Sequence, residues 1–191
     1  MKPFTGLIAG LVFACSCFAQ QKQLSNEPLT VEDQTIYRAF LTTYSTGAGG
    51  AVNVSDRTIL FSPSDMDQKG CLKGMDLVGT GTSVHLLTAD AVPSHGYLLV
   101  DPEKQRKVIR KSDPGELIRQ GKPVEDAVRQ GFASGILTLS EIDFSDDLHF
   151  AVFTYSFYCG SLCGNGALLI YENIDGTWEP AKGKRCSVWE S

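Results

Sequence analysis

The chain carries few of the residues that declare an activity. Its three histidines, His85, His95 and His149, stand far apart. No His-x-x-x-His spacing sets two of them on one helical face, so the common helical zinc sites are excluded. There is no Gly-x-Ser-x-Gly nucleophile turn and no glycine-rich phosphate loop. Positive charge is also short: 17 Lys and Arg stand against 22 Asp and Glu, a net charge of −5, with no run of like charge. Nucleic acid and anionic membrane surfaces need a clustered positive field, so neither is expected as a partner. No apolar run approaches the roughly 20 residues of a membrane span.

What is present first is a leader. Lys2 supplies a positive start, residues 6–13 an apolar core, and Cys17-Phe18-Ala19 a small-x-small cleavage site before Gln20. Residues 1–19 therefore read as an export signal. The chain beyond it, roughly 170 residues, fits one domain with a real core. Val12-Phe13-Ala14-Cys15 offers a minor alternative, a lipid-anchored cysteine, although Phe13 is bulky for such a site. A periplasmic or secreted protein is expected.

Four cysteines follow the leader: Cys71, Cys159, Cys163 and Cys186. In an exported chain an even count reads as two disulfides, and four cysteines allow three pairings. The favoured pairing joins Cys159 to Cys163 across a glycine-rich turn, which leaves Cys71 for Cys186.

Residues 20–29 lack periodicity and read as a flexible lead-in to a single α+β domain spanning residues 30–191. Thr30 with Asp33 three residues on forms a helix-start signal, and Val31, Ile36, Ala39, Phe40 and Tyr44 continue at helical spacing up to a break at Gly47. Residues 51–61 read as one strand or two short ones around Ser55-Asp56-Arg57, and residues 63–93 give little signal. Residues 97–100 and 107–110 suggest a hairpin about Asp101-Pro102-Glu103-Lys104. A short helix is expected over residues 123–130, stopped by Gly131. Residues 136–144, 149–158 and 167–173, with Gly176-Thr177-Trp178 and a segment near Val188, predict an antiparallel meander. In its middle strand Ala151, Phe153, Tyr155 and Phe157 share one face, toward the helices, and Val152, Thr154 and Ser156 the more polar other. The expected fold is an N-terminal helix and short helices packed on an antiparallel sheet with a C-terminal β-meander.

The segment Leu139-Ser140-Glu141-Ile142, the Cys159-Gly160-Ser161-Leu162-Cys163-Gly164-Asn165-Gly166 motif, Gly176-Thr177-Trp178, Cys186 and Trp189 together resemble a family of uncharacterised secreted bacterial proteins. The likeness covers about the last third of the chain. It implies export and a shared fold, and it brings no activity with it.

The double-cysteine motif also looks superficially like the papain-type Cys-Gly-Ser-Cys-Trp signature. A leucine is inserted, no aromatic follows the second cysteine, and no histidine lies downstream, so a structural bridge is the better reading. Zinc held by the four cysteines would call for two close pairs rather than one pair and two singles, and thiol exchange would call for Cys-x-x-Cys. Asp146-Asp147 before His149 reads as turn chemistry, and Asp65 with Asp67 as a loop lacking calcium-loop spacing.

The best functional lead is aromatic. Tyr155, Tyr158, Tyr171, Trp178 and Trp189 are candidates for a binding face, since rigid rings give large contact area at low entropic cost. The expectation is thus a non-enzymatic domain, without cofactor or catalytic residues, that binds another protein or a cell-envelope ligand. The alternatives are a secreted hydrolase with an unrecognised site and a zinc-stabilised domain.

Overall fold

The computed structural model describes residues 23–25, 27–46, 49–62, 70–79, 81–161, 163–183, 186 and 188–190. The leader, the Cys15 alternative, the Asp65–Asp67 pair and Leu162 lie outside them.

Helix α1 (Val31–Thr43) starts where local chemistry dictates. Thr30 Oγ1 accepts the Asp33 N–H at 3.1 Å, and Asp33 returns the bond to the Thr30 N–H at 3.0 Å, a closed capping box. Ile36, Tyr37, Phe40 and Leu41 are the residues it buries. Strand β1 (Gln23–Leu24) pairs in parallel with β3 (Ser83–Val84), so part of the expected lead-in is tied down. Leu29 is also in the core.

Eight strands make one curled sheet: β2 (Val52–Ser55), β4 (Tyr97–Val100), β5 (Ile136–Leu139), β6 (Asp143–Phe144), β7 (Phe150–Gly160), β8 (Cys163–Ile174), β9 (Thr177–Pro180) and β10 (Val188–Glu190). Its main path runs β10-β8-β7-β5-β2-β4, with β6 against β7 and β9 against β8. The C-terminal meander is antiparallel, as the alternation predicts. The N-terminal half adds parallel pairings, β2 with β4 and β2 with β5, so the whole sheet is mixed rather than antiparallel. Asp175 and Gly176, both at positive φ, close the β8–β9 hairpin as a two-residue turn.

The expected hairpin about Asp101-Pro102 is absent. Only residues 97–100 are a strand, and residues 107–110 lie inside α2 (Pro102–Lys111). Asp101 caps that helix by accepting from the N–H groups of Glu103 and Lys104, and Pro102 occupies the first helical position, where its missing N–H costs nothing. A further helix, α3 (Pro114–Arg119), repeats the Asp-Pro start at Asp113-Pro114. Helix α4 (Val124–Ser134) follows, and it runs past Gly131 to Gly135. Gly131 sits inside α4 for a packing reason: a Cβ there would lie 3.0 Å from Pro114 Cδ and 3.3 Å from the Cys159 carbonyl oxygen.

Two cores flank the sheet. On one face α1 packs against Val52, Val54, Leu137, Leu139, Phe153 and Phe157. Tyr37 and Phe40 meet Phe153 edge-on, with centroids 5.7 Å apart in each pair. On the opposite face Val152, Leu168 and Ile170 pack under Phe61, Leu72, Met75 and Cys186. That second core covers only one end of the face. At the other end, Thr138, Ser156, Tyr158 and Trp189 remain at least partly open to solvent.

Candidate functional site

The cysteine-glycine motif is a structural joint. Cys159 and Cys163 are bridged, their Cα atoms 5.1 Å apart, across the β7–β8 turn, and Cys71 is bridged to Cys186 at 5.4 Å. This is the favoured pairing, and it leaves none of the four thiolates for zinc. Gly160 adopts φ +139°, and a Cβ on it would meet Asp113 Oδ2 at 2.9 Å. Asp113 is the reason for that close approach. Its carboxylate accepts the Ser161 N–H at 2.6 Å and the Ser161 hydroxyl at 3.1 Å while capping α3 through the Glu116 N–H. These bonds, the Ser161 N–H first, hold Asp113 below the usual carboxylate range.

The five aromatic candidates do not share one surface. Tyr171 and Trp178 are only 3% and 7% exposed and belong to the main core. The register explains why. Tyr171 pairs with Ala151 on the core-facing side, and Trp178 pairs with Asn173, which shares that side. Burial pushes the Tyr171 hydroxyl up to about 12. Tyr155 is on the same side, its ring 5.1 Å from Phe40 and 5.4 Å from Tyr44 by centroid. It helps seat α1, and burial raises its hydroxyl, with the Glu190 carboxylate adding to the shift.

Tyr158 and Trp189 emerge on the other side. Tyr158 is 45% exposed and Trp189 37%. Trp189 pairs with Gly166 of β8, which pairs with Ser156 of β7, which pairs with Thr138 of β5; Tyr158 pairs with Gly164 one row further on. Sheet geometry sets the two aromatics roughly 12 Å apart, two strands across and two residues along. The indole lies over Gly166: a Cβ there would fall 2.7 Å from Cε2 of Trp189. An absent side chain thus lets the ring lie close to the sheet.

A second cluster unites residues distant in sequence. Glu141 is buried two residues beyond the end of β5, and its Oε2 lies 2.8 Å from His85 Nδ1. Its Oε1 accepts the His85 N–H at 3.0 Å and the Thr58 hydroxyl. The neighbouring Ser140 carbonyl accepts the Tyr37 hydroxyl at 2.7 Å. His85 is therefore an imidazole oriented by a carboxylate, an arrangement that sequence spacing had no means of showing. Asp33 is near enough to feel both charges; burial raises its carboxyl, and its bonds with Thr30 oppose the shift. No cluster of three metal-ligating side chains occurs among the described residues.

His95 Nδ1 meets Ser94 Oγ on the surface at 2.9 Å. His149 joins Glu172 at 3.1 Å, and Asp147 accepts the Ser145 hydroxyl at 2.6 Å and the His149 N–H at 3.0 Å, which is turn chemistry.

Neither a family model, a curated protein nor a solved structure matches this chain.

Proposed function

We propose that the protein is an exported, non-enzymatic binding domain that engages another protein or an envelope ligand through the sheet face bearing Tyr158 and Trp189. The observation that carries this reading is Trp189 lying over Gly166, partly exposed, on a row otherwise made of Ser156 and Thr138. A large rigid ring left exposed beside small polar side chains offers contact area with little ordering cost. The leader and the two bridged cysteine pairs support a periplasmic or secreted location, since such bridges persist in oxidising compartments. No described helix is long and apolar enough to cross a membrane.

Titration of the protein with solubilised envelope material from the producing cell, read by tryptophan emission, tests the reading. A saturable blue shift in the wild type that is absent from Trp189→Phe is expected. Emission that does not change, or changes equally in the variant, argues against it. A second reading, a hydrolase using His85 as base, has one observation in its favour: the 2.8 Å contact between His85 Nδ1 and buried Glu141. Its test is hydrolysis of an ester and amide panel, lost in His85→Asn.

A further inference from the structure

Strand β10 ends the path of the sheet, and among the described residues it pairs with β8 alone. All three of its residues are exposed. In an antiparallel ladder alternate residues turn their N–H and C=O groups away from the partner strand, so among the described residues nothing fills the outer edge of β10. Its side chains divide between two environments. Trp189 faces the open polar side, whereas Val188 and Glu190 pair with Ala167 and Asn165 on the core-facing side.

Beside Glu190 on that side is a groove of about 240 Å³, lined by Pro114, Val128 and Phe132 together with Cys163, Gly164 and Asn165. No hydrogen bond or ion pair links the Glu190 carboxylate to a described residue, yet its charge reaches into the fold and helps raise the Tyr155 hydroxyl. An apolar wall leading to an unpaired carboxylate suits a lysine or arginine, whose methylene stem buries while its head stays polar.

We propose that β10 accepts an extended peptide as an added strand, and that this peptide alternates basic residues, set against Glu190 and the groove, with apolar residues set against Trp189. The inference rests on the binding reading above and names its partner. Strand addition supplies affinity through main-chain bonds and specificity through alternate side chains, as the two faces of β10 require. Charge decides against a second copy of this chain as the occupant. The protein carries a net −5, and pairing two β10 edges brings like carboxylates together.

The test uses the full chain and acetyl-(Val-Lys)4-amide, with acetyl-(Val-Glu)4-amide and a backbone N-methylated (Val-Lys)4 as controls. The expected result is saturable binding of (Val-Lys)4 alone, slowed hydrogen exchange of β10 amides, and affinity reduced about tenfold in Glu190→Gln. Equal binding of the acidic or N-methylated peptide, or no effect of Glu190→Gln, overturns the proposal. So does a dimer whose interface protects β10. The two levels fail separately: envelope material that shifts Trp189 emission while (Val-Lys)4 leaves β10 unprotected removes strand addition and keeps the binding face. Absence of both signals removes both.

Discussion

Trp189 covers Gly166, and the two residues exclude any side chain between them: a Cβ on Gly166 would stand 2.7 Å from Cε2 of the indole, closer still to its Nε1, and 2.6 Å from the Tyr155 carbonyl oxygen. Gly166→Ala should therefore either displace the indole or strain the β7–β8 ladder. Overpacking of this kind costs about 1–3 kcal/mol. Urea denaturation followed by tryptophan emission reads both consequences, and a variant as stable as wild type with unchanged emission removes the close packing of ring on glycine.

Glu141 should prove to be a structural hub whatever else it does. Its carboxylate serves the Thr58 hydroxyl, the His85 N–H and the His85 ring together. Glu141→Ala takes the carboxylate partner from the His85 ring and leaves the Thr58 hydroxyl and the His85 N–H only the bonds between those two residues, and should cost about 1–3 kcal/mol. Glu141→Gln keeps the shape and one acceptor oxygen, so it should recover much of that loss. Equal losses in the two variants would contradict this, because the retained shape and acceptor oxygen would then contribute nothing.

How readable these features were depends on how local they are. The α1 start was legible because its capping box closes within four residues, Thr30 to Asp33. The meander was legible because its alternation repeats along β7 and β8. Asp101-Pro102 misled because the same dipeptide suits a turn and a helix start, and only the packing of α2, which buries Ile109, decides between them. The parallel pairing of β2 with β4 and β5 joins segments about 40 residues or more apart through no shared turn, so nothing local encodes its register. His85 and Glu141 are 56 residues apart and were invisible for the same reason. The burial of Tyr171 could have been read, since it alternates in step with Leu169 and Ala167, but that of Trp178 rests on the β8–β9 register.

Acid should loosen the disulfide turn through Asp113. Its folded-state pKa is lowered, mainly by the Ser161 N–H, so the stability it contributes is present above the ordinary carboxylate value of 3.8 and is lost as pH falls through the folded value. Asp33 runs the other way: burial raises it, and the associated penalty disappears as the group protonates. Asp113→Asn should flatten the fall in denaturation midpoint at the acid end, and a carbon NMR titration should find Asp113 below 3.8. A midpoint profile identical to wild type contradicts this assignment.

The two bridges should contribute unequally. Cys71–Cys186 spans 115 residues and Cys159–Cys163 only four. On the chain-entropy account the long loop is worth roughly 5 kcal/mol and the short one roughly 2. Paired Cys→Ser variants compared by denaturation should show that order. The Cys71–Cys186 variant should also expose the second core, because Cys186 packs there with Leu72 and Met75. The reverse order would make the short turn the dominant staple.

The most direct measurement of the central claim places a photoreactive p-benzoylphenylalanine at Tyr158 in the full chain and irradiates intact producing cells. The account predicts a discrete crosslinked product that disappears in Trp189→Ala, while the same group at Ile174, exposed at the far end of β8, gives none. No product from position 158, or the same products from position 174, would contradict a binding role for the Tyr158–Trp189 face.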